Sequence, residues 1–203
     1  MQHPLQCRCG SLKGIVDTAG GANRVVCYCK DCQAFAHFLG KAVEILDSLG
    51  GTDVIQVQPG YVVLTQGTDS LACMRLSEKG LLRWYAGCCN TPIGNTLANF
   101  KISFIGLVHN CLETQAPPLN DSFGPVRAWV NTNGARVDPK PKPVGVGKSA
   151  LKFISLIARA RMNGSYRSTP FFRAAEGTPI VVPRILNSAE RAKVMQAVQS
   201  AAA

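Results

Sequence analysis

Three thiols crowd into Cys27-Tyr28-Cys29-Lys30-Asp31-Cys32, first one residue apart and then two. Cys7-Arg8-Cys9-Gly10 precedes them, and the adjacent pair Cys88-Cys89 follows far downstream, so seven of the nine cysteines fall in three clusters. Spacing this tight does not suit a disulfide framework. It suits several sulfurs converging on one point, as soft thiolate ligands do around Zn²⁺. Cys27, Cys29 and Cys32 offer three ligands from one turn with no local fourth, which leaves a position for water or an incoming thiol. The bland alternative is a closed structural zinc that borrows a distant ligand. Either way, the chain must fold back to bring the clusters together.

The elements that would do this are short. Val25-Val26 leads straight into Cys27 as a strand, with Gly10 and Gly20-Gly21 punctuating the chain before it. After Cys32 the apolar positions Phe35, Phe38 or Leu39, Val43 or Ile45, and Leu46 recur at helical spacing. Gly50-Gly51 ends that run and Gly40 interrupts it. From Asp53 to Val108 five brief apolar runs alternate with turn signals: 54–58, 61–65, 71–76, 81–85 and 102–108. Strands so short and evenly spaced predict an antiparallel or mixed β unit rather than alternating βαβ.

Residues 131–147, with Pro139, Pro141 and Pro143 among lysines, read as a linker or extended surface segment. A helix follows from about Lys148, with Lys148, Lys152, Ser155 and Arg159 on its polar face. A last helix starts after Asn187, which serves as N-cap with Glu190 completing a capping box. The expected fold is mainly β: a zinc-stapled compact domain, residues 5–130, of several curled antiparallel or mixed sheets. A basic helical extension, residues 131–203, packs on it.

Charge separates these two regions. The net charge is +10, yet residues 1–124 are balanced, so all of it lies in residues 125–203, with 13 Lys/Arg against 3 Asp/Glu. Such a segment attracts anions, from carboxylate-bearing metabolites to nucleic acid or acidic lipid. The aromatics there lack the stacking pattern of an RNA module, so nucleic acid ranks below a small acidic molecule. No apolar run approaches the roughly 20 residues of a membrane-spanning helix, and the first residues do not read as a secretory signal. The expected compartment is the reducing cytoplasm, where close cysteines bind metal rather than pair. Gly145-Val146-Gly147-Lys148-Ser149 looks like the end of a phosphate-binding loop. Lys142 stands where the full motif needs its first glycine, and prolines replace the preceding strand, so nucleotide binding is set aside. Cys73 and Cys111 read as small buried hydrophobes. His109 reads as an edge or core histidine before it reads as a ligand.

The three motifs in order (Cys7-x-Cys9-Gly10, then Cys27-x-Cys29-x-x-Cys32, then Tyr85 to Ile93) resemble the glutathione-dependent formaldehyde-activating family, which includes centromere protein V. The resemblance spans about residues 5–115 and implies two Zn²⁺ ions. Its first and last motifs imply a structural zinc on Cys7, Cys9 and Cys89, with Cys88 a strained fourth ligand or a non-ligand, because Ala86 stands at the family's first cysteine of that motif. Since neighbouring residues normally point apart, one of Cys88 and Cys89 is expected to face away. The middle motif implies the zinc of activity, on Cys27, Cys29 and Cys32, with Tyr28 where the family often has His. The implied enzyme is a carbon–sulfur lyase of the S-(hydroxymethyl)glutathione synthase type. It would join a small thiol such as glutathione to a small carbonyl compound such as formaldehyde. The competing class is a non-catalytic zinc module whose basic region binds an anionic partner.

Overall fold

In the computed structural model, residues 1–113 and 117–201 are described. In chain order, β1 (Gln2–Gln6), β2 (Lys13–Asp17) and β3 (Asn23–Cys27) lead to α1 (Lys30–Phe38) and α2 (Ala42–Ile45). Next come β4 (Thr52–Val57), β5 (Val62–Gln66), β6 (Leu71–Arg75), β7 (Leu82–Ala86), β8 (Thr91–Thr96) and β9 (Ile105–Val108). The last third holds α3 (Leu119–Phe123), β10 (Ala128–Val130), α4 (Val146–Met162), β11 (Phe172–Arg173), β12 (Thr178–Pro179), β13 (Arg184–Ile185) and α5 (Ser188–Ser200).

The protein is mainly β with several sheets, none strongly curled. One sheet has eight strands in the order β10-β3-β4-β9-β8-β7-β6-β13, antiparallel inside and parallel at both edge pairs. A three-stranded sheet, β1-β2-β5, lies over one face of it, and β11-β12 form a small hairpin. Strand alternation explains how one sheet serves two cores. Leu82, Trp84 and Ala86 of β7, Ile55 and Val57 of β4, and Ile105 and Leu107 of β9 enter the main core with Leu5, Leu12 and Val16. On the opposite face, Tyr85 packs with Phe35 and Phe38 of α1 in a second core, and α5 closes it with Val194 and Val198.

The helical run after Cys32 is interrupted at Gly40, as the sequence suggests: Gly40 takes a left-handed φ of 67°, which separates α1 from α2. Residues 91–96 form a buried strand that their Pro, Gly and Asn content conceals. Gly94 is required there: a Cβ would lie 2.8 Å from the Gly106 carbonyl and 2.9 Å from the Ile105 side chain. Finally, α4 does not seat its broad apolar surface. It buries the narrow stripe Ser149, Leu156 and Ala160, while Leu151 and Ile154 stay exposed. Hydrogen bonds choose that stripe: Asn23 Nδ2 donates to Ser149, and Gln58 Nε2 donates to the Leu156 carbonyl at 3.0 Å.

The residues after 130 are part of the same frame. β10 leaves the sheet at Val130 and β13 rejoins it at the opposite edge, pairing Arg184 with Met74. Among the described residues, no helix is long and apolar enough to cross a membrane.

Candidate metal centre

The first cluster is built by two turns. After β1 the chain reverses through Cys7–Leu12. The Gly10 amide donates to the Cys7 carbonyl at 2.9 Å, and the Leu12 amide to Cys7 Sγ at 3.2 Å. The β7–β8 turn brings Cys88 and Cys89 alongside, and the Arg8 amide fastens the turns together by donating to Thr91 Oγ1 at 2.9 Å. All four sulfurs, of Cys7, Cys9, Cys88 and Cys89, then lie within 4.8 Å of one another. Cys7–Cys9 is 3.6 Å, Cys7–Cys88 3.8 Å, Cys9–Cys88 3.3 Å and Cys88–Cys89 3.8 Å. A tetrahedron with metal–sulfur bonds of about 2.3 Å has edges of about 3.8 Å. A disulfide needs about 2.05 Å, and all of these thiols are free.

The expectation that Cys88 and Cys89 face apart is therefore overturned. Alternation belongs to extended strands, whereas these residues sit in a tight reversal. The Asn90 amide donates back to the Ala86 carbonyl at 2.8 Å, and Asn90 takes a left-handed φ of 56°. Ala86 packs in the main core, and Cys88 supplies the fourth sulfur in its place. Ser11, hydrogen-bonded to the Cys9 thiol through both hydroxyl and backbone, brings its pKa down to about 6.

The second cluster forms where β3 gives way to α1. Cys27 ends the strand. Cys29 is the N-cap of α1, its Sγ accepting from the Cys32 amide at 3.3 Å. The three sulfurs lie within 4.8 Å of one another. Among the described residues no further Cys, His, Asp or Glu joins the three. A helix N-terminus favours thiolate through its partial positive charge. Hydrogen bonds from the Cys29 and Cys32 thiols, together with the Asn131 amide, bring the Cys27 thiol down to about 2. The hydrogen bonds that the Cys29 thiol gives to Cys27 and Cys32 hold its proton and drive it upward, and the hydrogen bond to Cys27 raises Cys32 to about 11. Without an ion, then, the cluster holds its first negative charge on Cys27. The remaining protons must leave when a metal enters.

The supporting shell comes from residues read as linker. Asn131 Nδ2 donates to Cys27 Sγ at 3.2 Å. Gly134 lies so close that a Cβ there would be 2.1 Å from the Tyr28 carbonyl. Gln33 ties the two segments, donating to the carbonyls of Tyr28 at 3.0 Å and Gly134 at 2.8 Å. Arg83 is buried beneath α1. It donates to Asn95 Oδ1 at 3.1 Å, lies over the Phe35 ring at 5.5 Å and sits 3.9 Å from the Asp31 carboxylate. Its positive charge favours the thiolate of Cys32. Asn131 and Arg83 carry no local signal in the sequence, because only folding brings them to the cluster.

Cys73 and Cys111 are buried and belong to neither cluster, and burial pushes the Cys73 thiol up to about 12 and raises Cys111 as well. His109 joins neither cluster; its Nδ1 lies 3.4 Å from the Asp53 carbonyl. His3 is fully buried, its ring nitrogens 2.7 Å from Ser122 Oγ and 2.8 Å from the Leu112 carbonyl.

A family profile described as a family of unknown function, DUF6151, matches residues 1–182. The chain belongs to that family. The matched region contains both cysteine clusters and the segment carrying Asn131. No curated protein matches the chain. A crystal structure of a Rhodobacter sphaeroides protein, a Northeast Structural Genomics target, is similar over 58% of this chain and 92% of its own, with 17% identity and a TM-score of 0.37. On the geometry alone, two cysteine clusters of this DUF6151 chain could hold metal ions.

Proposed function

We propose that both clusters bind Zn²⁺ and that the chain is an enzyme making or breaking a carbon–sulfur bond. It would add a small thiol of the glutathione type to a small aldehyde, or reverse that addition. One contrast carries the reading: four sulfurs converge at the first cluster and three at the second. Four thiolates complete a tetrahedral site, whereas three leave a position for a molecule from outside. All-sulfur donor sets suit zinc, and the observed sulfur separations fit its bond length.

Bound at the three-sulfur cluster, zinc supplies a positive centre that favours the thiolate form of a coordinated thiol. The protein's own residues do the rest. Asn131 fixes the orientation of Cys27, Cys29 holds the start of α1 against the cluster, and Arg83 offsets the negative charge of three thiolates. Addition forms one S–C bond as the carbonyl π bond breaks toward oxygen, and that oxygen takes up a proton equivalent to the one the thiol gave up. The reaction needs no oxidant or reductant. Holding thiol and aldehyde together would supply much of the acceleration.

The test is calorimetric titration of the zinc-loaded protein with glutathione, repeated on a Cys29→Ser variant shown to remain folded. Binding and thiol-dependent aldehyde consumption that vanish in the variant support the enzyme. Absence of glutathione binding to loaded protein, with the second zinc as resistant to chelator as the first, would instead make it a structural zinc module.

A further inference from the structure

Far along the chain from the cysteines, a cavity of about 360 Å³ opens between the start of β3, the segment entering β10 and the first two turns of α4. Three of its lining residues are cations, Arg127, Lys148 and Lys152, and no acidic residue lines it. The 17-residue helix begins at Gly145 without a side-chain cap, so its first-turn amides keep their partial positive charge. Gly145 holds that helix end in place: its φ is 69°, and a Cβ would lie 2.0 Å from the Arg127 carbonyl. Burial, and after it the nearby Arg127 charge, lower the Lys152 pKa.

A second observation at the same place is a buried acceptor. Asn23 lines the cavity and is fully buried. Its Nδ2 donates to Gln56 Oε1 at 2.7 Å, to Ser149 Oγ at 2.8 Å and to the Ser149 carbonyl at 3.1 Å. Its Oδ1 has no partner among the described residues. A buried acceptor left unmet is costly, so a ligand that brings a donor is favoured. Cations together with one unmet acceptor define an anion that also carries a hydrogen-bond donor. Hydrogenphosphate is such an anion, and so is a phosphate monoester with a neighbouring hydroxyl; sulfate at neutral pH has no proton to give. This chemistry is not that of a nucleotide loop, because prolines occupy the approach to the helix.

We propose that the cavity bounded by Asn23, Arg127, Lys148, Ser149 and Lys152 is a binding site for phosphate, free or as the monoester of a small hydroxylated metabolite. This site does not depend on the metal reading. The test titrates the full metal-loaded chain with inorganic phosphate, glycerol 3-phosphate and sulfate at constant ionic strength, followed by backbone amide NMR. The expected result is saturable shifts confined to residues near 23, 127 and 145–152, with sulfate at least about tenfold weaker. Tighter binding of glycerol 3-phosphate than of inorganic phosphate would identify a metabolite as the source, and the reverse order free phosphate. The Lys148→Gln/Lys152→Gln double variant, with an unchanged melting temperature, should bind at least tenfold more weakly. Equal binding of sulfate and phosphate, shifts spread over the basic surface, or wild-type affinity in the double variant would overturn the site. So would a single-stranded oligonucleotide that shifts these amides where phosphate does not.

Discussion

At the scale of single residues, the two clusters differ in what surrounds each sulfur. Cys9 is exposed and held near pH 6, against a usual value of 9.0, by Ser11. In metal-stripped protein, alkylation of Cys9 should therefore rise with pH with a midpoint near 6, since the thiol below that pH is unreactive and the thiolate above it attacks. Cys73 and Cys111 should stay unlabelled until the protein unfolds. Mass-spectrometric mapping of labelled cysteines across pH 4.5–8 checks both statements, and labelling of Cys9 only above pH 8 would contradict the first. Asn131 gives a complementary case. Its amide donates to Cys27 Sγ, and ligand-supporting hydrogen bonds of this kind are worth about 10–100-fold in metal affinity. Asn131→Ala should weaken metal binding at the three-sulfur cluster by about tenfold while leaving the four-sulfur cluster unchanged, as read by chelator competition.

At the scale of elements, helix ends and tight turns carry the site. α5 begins with a complete capping box: Asn187 Oδ1 accepts from the Glu190 amide at 2.9 Å, and Glu190 accepts from the Asn187 amide at 3.0 Å. Since α5 packs on α1, Asn187→Ala should cost about 1 kcal/mol and lower the melting temperature by about 2–4 °C. The metal content should not change, because the cap is remote in sequence from every cysteine. Gly134→Ala tests the opposite coupling. Its Cβ would overlap the Tyr28 carbonyl and push the Tyr28–Cys29 backbone, at a cost of about 1–3 kcal/mol. Here the three-sulfur cluster should lose metal affinity as well as stability. Cobalt-substituted protein, whose thiolate absorption reports the ligand set, distinguishes the two variants. The capping box, the strands 54–58, 61–65, 71–76 and 81–85, and the helix read after Cys32 are all legible from local pattern. β8 is not: Pro92, Gly94 and Asn95 carry no strand signal, and only the need for a close approach to β9 explains Gly94 in a buried strand.

At the scale of the whole molecule, the four-sulfur cluster joins β1–β2 to β7–β8, and the three-sulfur cluster joins β3–α1 to the segment after β10. A chelator should remove metal from the open cluster first and from the closed one later. The second loss should bring the larger fall in melting temperature, because the four-sulfur site ties the small sheet to the large one. Acidification should release metal in the same order, from the three-sulfur cluster before the four-sulfur one, as protons compete for the thiolates. The types and spacings of the cysteines, read alone, determined that metal chemistry was available and that Cys27, Cys29 and Cys32 act from one turn. Brief, evenly spaced apolar runs between turn signals determined that β dominates. Tertiary structure decided the remainder: that Cys88 and Cys89 both turn toward the first cluster, that Asn131 and Arg83 stand beside the second cluster, and that α4 buries Ser149 and Leu156 while Leu151 stays exposed. Local spacing constrains neighbours within a turn or two, whereas these contacts join residues about 50 to more than 120 apart. Only sheet order and register bring such residues to one place.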